Sequence, residues 1–327
     1  MRKTGALVLV LAMSAALVAQ RQGDLPSIQP RGRGMASSTE TVHLSFQGMD
    51  RTYLLHIPTG AGSAAVPLVL AFHGGSQTAA QMEAMTGFSA LADREGFVVA
   101  YPQGIENSWA DGRGTTPADK KHIDDVGFAR AMVADIVKRA PINSRRIYAT
   151  GPSNGGILSN RLGCEMAVTL ASIGSVIGTI ASNVAPGCKP SSAIAVVGIQ
   201  SVNDPLVPFN GGQVKEGARI GEGGNVESAR ATQELWRDAN GCGAQPGVTN
   251  LPVRVNDGTS VVRRQYSGCK QGSDVVWYEI QGGGHRWPPH TATTPAEKIA
   301  ARMFGVSSQN IDATGTLWQF FKAHGKL

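Results

Sequence analysis

The chain has 327 residues, of which 42% are hydrophobic and 17% charged, enough apolar material for a large domain with a buried core, and this excludes a function that depends on disorder. Its 41 glycines follow no Gly-X-Y period and form no Pro/Gly tract, which points to a fold rich in turns rather than a helical bundle or a collagen-like rod. The formal net charge of +6 is inflated by Arg2, Lys3, Arg21, Arg31 and Arg33 near the start; the rest is mildly basic with only the short Arg263–Arg264 cluster, so no nucleic-acid partner is expected.

Residues 1–20 read as a secretory signal, with Arg2 and Lys3 ahead of the apolar run Ala6–Ala19. That run is too short for a stable bilayer span, so the protein is expected to be secreted or periplasmic. Met35 offers an alternative start. Residues 21–40 read as a polar, flexible leader and residues 41–327 as a single domain, expected to be monomeric. The four cysteines, Cys164, Cys188, Cys242 and Cys269, contain no Cys-x-x-Cys; an even number in an exported chain suits two disulfides better than zinc or redox chemistry, with three pairings open.

Thr41–Phe46 and Tyr53–Ile57 alternate about Gln47–Asp50 and read as an antiparallel hairpin. Val66–Phe72, Phe97–Tyr101, Arg146–Thr150 and Ile194–Ile199 are near-continuous apolar runs, as expected of strands buried on both faces of a parallel sheet. Helical spacing marks Gln81–Arg94, Val126–Arg139, Gly155–Ala167, Val226–Ala239 and Ala313–His324. Strand and helix alternate, which predicts an α/β fold with a mostly parallel sheet, an antiparallel N-terminal hairpin and helices on both faces.

Gly151-Pro152-Ser153-Asn154-Gly155 is a G-x-S-x-G placed between a predicted strand and a predicted helix. In that context it reads as a nucleophile elbow, the sharp turn that lifts a serine hydroxyl above a sheet edge, whereas the bare pattern would equally describe a Gly-rich turn. A serine needs a base and an acid to orient it. His285, in a loop after the strand-like Val275–Ile280, is the best-placed base, because His290 follows a Pro-Pro pair and His324 ends a helix. Asp204, shortly after Ile194–Ile199, is the best-placed acid; its bland alternative is a turn-initiating aspartate before Pro205. Backbone N–H groups of Asn154 and of Gly75, or alternatively Ser76, are the expected oxyanion donors, with His73 supporting their loop. Trp109 and Trp287, in loops at the C-terminal edge of the sheet, are expected to line a substrate pocket, their indole N–H groups free to meet a polar edge. No cofactor motif or metal set is present: the chain lacks H-E-x-x-H and P-loop patterns, and Asp124–Asp125 reads as a helix cap.

From about Thr41 onward the chain resembles the polyhydroxybutyrate-depolymerase-like secreted esterases, which include feruloyl and acetylxylan esterases of carbohydrate esterase family one. The resemblance is carried in order by HGGSQ at His73, YPQG at Tyr101, DDVGFARAMV at Asp124, RRIYATGPSNGG at Arg145, NDPLVPFNGG at Asn203, GGGHRWP at Gly282 and IDATGTLWQFF at Ile311. It implies an α/β-hydrolase fold, a Ser153–Asp204–His285 triad, and disulfides Cys164–Cys188 and Cys242–Cys269. Gln200-Ser201, Phe209 and Pro152 depart from the family pattern beside the triad. The expected activity is a serine carboxylesterase acting, through an acyl-enzyme, on feruloyl or acetyl esters of plant polysaccharide or on short hydroxyalkanoate oligomers. An acyltransferase on the same scaffold is the alternative, and a catalytically idle binding module a weaker one. The chain ends soon after the histidine loop, so soluble or oligomeric esters are expected over crystalline polyester.

Overall fold

The structure, a computed structural model, describes residues 38–59, 64–217, 221–291 and 294–326. The expected signal, and the expected leader up to residue 37, lie outside the described residues. Strand β1 (Ser38–Phe46) and strand β2 (Met49–Ile57) form the predicted hairpin. Its turn is the pair Gln47-Gly48, with φ of 51° and 76°, the left-handed backbone that lets a two-residue turn match strand twist. The first strand begins inside the expected leader because Ser38, Thr39 and Glu40 pair with Ile57, His56 and Leu55.

There follow β3 (Val66–Ala71), α1 (Ala79–Thr86), α2 (Phe88–Glu95) and β4 (Val98–Pro102). The single helix expected over Gln81–Arg94 is split at Gly87, whose φ of 63° closes α1 with its N–H on the Glu83 carbonyl. Next come α3 (Pro117–Lys120), α4 (Asp125–Arg139), β5 (Ile142–Pro152), α5 (Asn154–Glu165), β6 (Ser172–Val176) and β7 (Ala195–Ser201). The chain ends with α6 (Ala229–Asn240), β8 (Gly247–Asn250), β9 (Ser260–Tyr266), β10 (Val275–Gln281), α7 (Pro295–Phe304) and α8 (Ala313–Ala323). Asp124 caps α4, its carboxylate accepting the Gly127 N–H at 2.7 Å.

Ten strands make one sheet in the order β1-β2-β4-β3-β5-β6-β7-β10-β9-β8. Neighbours from β4 through β10 are parallel, and both flanks are antiparallel. The continuous apolar runs are explained by two cores. Leu68, Leu70, Ile147, Ala149, Val196 and Trp277 face α4, α5 and α6, while Val69, Ala71, Tyr148, Val197 and Val276 face α1, α2 and α8. Successive strand residues therefore feed opposite layers, which is why these runs show no apolar-polar alternation.

Disulfides join Cys164 to Cys188 and Cys242 to Cys269. The first ties the last turn of α5 to the segment before β7; the second ties the turn after α6 to the turn after β9. Among the described residues no helix is long and apolar enough to cross a membrane.

Candidate active site

Parallel strands deliver their C-terminal ends to one edge of the sheet, where α/β folds bind ligands. Ser153 stands there between β5 and α5, with φ 52° and ψ −121°. A serine in that backbone region is strained and persists only where surroundings hold it. Its N–H donates to the Val176 carbonyl at 2.9 Å and its carbonyl accepts from Ile157 N–H at 2.8 Å. The flanking glycines are required by close approach: a Cβ on Gly151 or on Gly155 would lie 2.3 Å from the Phe72 carbonyl oxygen. The elbow and the end of β3 are thus in backbone contact, and the first turn of α5 sits directly behind the serine.

Asp204 follows β7 and His285 follows β10, strands that are neighbours in the sheet although 81 residues separate the two side chains. Asp204 Oδ2 lies 2.7 Å from His285 Nδ1, and Asp204 Oδ1 accepts the N–H groups of Leu206 at 2.8 Å and Val207 at 3.0 Å. The carboxylate is fully buried, with both oxygens hydrogen-bonded, so its aim at the imidazole is fixed. The histidine loop is fastened to the end of α7, where His285 N–H donates to the Phe304 carbonyl at 2.6 Å. That helix lies outside the predicted elements.

The loop after β3 is held by His73, which is wholly buried. Gly104 N–H donates to its Nε2 at 3.0 Å, so Nδ1 carries the proton and donates to the Gly74 carbonyl at 2.8 Å. Burial pushes the imidazole pKa down from 6.5 to about 4, which keeps it neutral. In this loop Gly74 N–H is spent on Gln77 Oε1 and Ser76 N–H on the Asn107 carbonyl. Among the described residues Gly75 N–H has no such bond, which favours Gly75 over Ser76 as a donor to a ligand. Asn154 is the first residue of α5, so its N–H has no acceptor within the helix.

Ser153, Asn154, Gly75 and His285 share the wall of a cavity of about 420 Å³ with apolar side chains such as Met85, Ile177 and Val214. Trp287 lines it, but its indole N–H is committed to Thr314 Oγ1 at 3.1 Å and cannot turn to a ligand. Trp109 is corrected: it is fully buried and outside the cavity lining. Its Nε1 donates to the His73 carbonyl at 2.8 Å, its ring packs 4.6 Å from the His73 ring, and its N–H donates to Asn154 Oδ1 at 2.9 Å. Trp109 braces the serine's neighbour through its main chain and the glycine loop through its indole, and its full burial leaves no face for substrate. Gln200, at the family departure, donates Nε2 to the Gly178 carbonyl at 2.7 Å, and Pro152 lines the cavity.

The sequence reading missed Asp111, Arg113 and Glu222. Asp111 accepts Asn154 Nδ2 at 2.7 Å and pairs with Arg113, whose Nη2 lies 2.8 Å from Asp111 Oδ2 and 3.1 Å from Glu222 Oε2. Arg113 and Glu222 both line the cavity, but they are 109 residues apart, so no local pattern links them. Among the described residues no group of three or more His, Cys, Asp or Glu side chains is arranged to hold a metal ion.

Residues 51–212 match the family model described as esterase PHB depolymerase. The chain is 31% identical over 266 residues to the Nocardia uniformis protein named "Putative esterase NocK", covering 79% of this chain and 77% of that one. It is 30% identical to feruloyl esterase B of Piromyces equi over 72% of this chain, although the alignment spans only 42% of that protein. Among solved structures it shares the fold of an acetyl xylan esterase from Aspergillus awamori, with a TM-score of 0.55, 13% identity and coverage of 81% of this chain and 99% of that one. An S-formylglutathione hydrolase from Agrobacterium tumefaciens has the same fold, with a TM-score of 0.53, 11% identity and coverage of 90% and 98%. The α/β-hydrolase architecture is therefore established from both sides, and the chain belongs to the esterase PHB depolymerase family as a carboxylic ester hydrolase.

Proposed function

We propose that this protein is an exported serine esterase in which Ser153 attacks the ester carbonyl while His285 takes its proton. Asp204 holds the imidazole by Nδ1 and balances its developing charge; Gly75 and Asn154 N–H groups receive the oxyanion. The alcohol leaves with the proton from His285, and water, activated by the same imidazole, releases the acid from Ser153. The observation that carries this reading is the fixed 2.7 Å contact of Asp204 with His285 beside a cavity whose wall holds both His285 and the strained Ser153. Export is supported by the apolar N-terminal run and by the pairing of all four cysteines.

The acyl groups proposed are feruloyl, acetyl or short hydroxyalkanoyl, supported by the names of the relatives and by a mainly apolar cavity whose wall includes Trp287. The test is Ser153→Ala with a fluorophosphonate probe. Turnover should fall by about 10⁴ to 10⁶ and labelling should vanish with the fold intact. Retention of about a tenth of wild-type activity in a pure preparation refutes the assignment.

A further inference from the structure

Glu222 stands in a two-residue antiparallel ladder opposite Glu216, in the excursion between β7 and α6. Its carboxyl is brought against the glycine loop: a Cβ on Gly75 would lie 3.1 Å from Glu222 Cδ and 3.2 Å from each carboxyl oxygen. The missing side chain at Gly75 is therefore the room in which this carboxyl sits. It is held by a buried relay. Arg113 Nε donates to Asp111 at 2.9 Å, its Nη1 donates to the Gly223 carbonyl at 2.7 Å, and its Nη2 donates to Glu222 Oε2 at 3.1 Å. Arg113 and Asp111 are almost wholly removed from solvent, so the arginine is pinned from both sides and positions the glutamate rather than following it.

The other oxygen is the informative one. Among the described residues Oε1 accepts no hydrogen bond of ordinary geometry, and it stays open to the cavity that Glu222 lines. Ser108 Oγ, fully buried, makes no hydrogen bond of ordinary geometry yet lies close enough to Glu222 to favour its ionised form. Burial, reinforced by the Asp111 charge, works the other way and raises the glutamate pKa. A carboxyl with one anchored oxygen and one open oxygen, in a cavity whose apolar wall includes Met85, Ile177, Val214 and Trp287, is a placed polar contact of the kind that fixes ligand orientation.

Resting on the reading of this cavity as the ester site, we propose that Glu222 is a specificity-determining residue that hydrogen-bonds a hydroxyl carried by the substrate, so that hydroxylated esters are turned over in preference to their deoxy counterparts. A site built to pair a hydroxyl penalises the analogue lacking it, because the protein's own group is then left unpaired.

The test compares kcat/KM for matched esters. One arm is p-nitrophenyl β-hydroxybutyrate against p-nitrophenyl butyrate, with the hydroxyl on the acyl side; the other is hydroxyethyl butyrate against ethyl butyrate, with it on the alcohol side. In Glu222→Ala the hydroxy-to-deoxy ratio should fall by about tenfold in one arm, and that arm identifies which side is read. Glu222→Gln keeps the shape and a neutral acceptor, so its ratio should fall less, by about threefold; this near-isosteric variant decides the matter if the alanine protein does not fold. Ratios that stay within about twofold of wild type in both arms and both variants overturn the inference while leaving the esterase reading intact. Absence of wild-type turnover on every ester overturns that reading, and this inference with it.

Discussion

Acidification from pH 7 should destabilise this protein through His73, well before its carboxylates are neutralised. The folded imidazole titrates at about 4 against an ordinary 6.5, so between those values the unfolded chain binds a proton that the folded chain refuses. The contribution is complete above 6.5, declines as the pH falls through that window, and is spent below about 4. It amounts to about 2 kcal/mol between pH 7 and pH 5 and about 3 kcal/mol by pH 4. The structural reason is specific: a second proton on Nε2 displaces the Gly104 N–H at 3.0 Å and leaves the new N–H with no acceptor on a cation closed off from solvent. Urea unfolding of wild type and of His73→Gln, measured at pH 7 and pH 5, isolates the term from all other titrating groups. Gln can accept from Gly104 without titrating, so the variant's loss of stability should be smaller by about 2 kcal/mol. Equal losses in the two proteins, within about 0.5 kcal/mol, refute the argument.

Asp204→Asn should leave the fold intact and reduce kcat by about 10⁴, because an amide nitrogen facing Nδ1 selects the wrong tautomer of His285; a loss below about tenfold, read by steady-state kinetics, points to another carboxylate. Trp287→Ala should change the kcat/KM ratio between aryl and short acyl esters by about tenfold, whereas a uniform fall together with the melting temperature marks the ring as loop packing only. Opening either disulfide, with sequence separations of 24 and 27 residues, should cost about 3 kcal/mol in the chain-entropy model. Calorimetry of Cys164→Ala/Cys188→Ala and of Cys242→Ala/Cys269→Ala checks this, and an unchanged melting temperature in either pair contradicts the estimate.

Strands buried on both faces announced themselves as apolar runs, and the Ser, Asp and His loops could be found from the strands that precede them. Strand β6, Ser172–Val176, escaped notice because two of its five residues are serines and one is glycine. The structure explains each: Ser175 Oγ donates to the Gly156 carbonyl at 3.0 Å, Ser172 Oγ to the His324 carbonyl at 2.8 Å, and a Cβ on Gly174 would meet Leu317 at 2.4 Å. Strand β9 hid for a similar reason, since Arg264 reads as surface charge until Glu279 is seen 2.7 Å away on β10. Trp109 was correctly placed near the site but on the wrong side of it, because sequence position fixes which edge of the sheet a loop occupies and not which way an indole turns. Glu222 carried no signal at all, lying among glycines in a two-residue ladder whose meaning comes only from Arg113.

The contact between the elbow and the end of β3 bears on how this enzyme can change over evolutionary time. Phe72 and His73 carbonyls press on Gly155, and Phe72 also on Gly151, so main-chain packing, together with the Trp109 brace, registers the amides of Gly75 and Asn154 to one another. Mutation at ordinary positions cannot easily slide one amide relative to the other. Met85, Val214 and Phe304 also line the cavity, and they come from three separate parts of the fold. Selection for a new ester should therefore accumulate its changes in that wall, singly and in varied order, while the Gly75 loop and the elbow stay constant across lineages whose substrates have diverged.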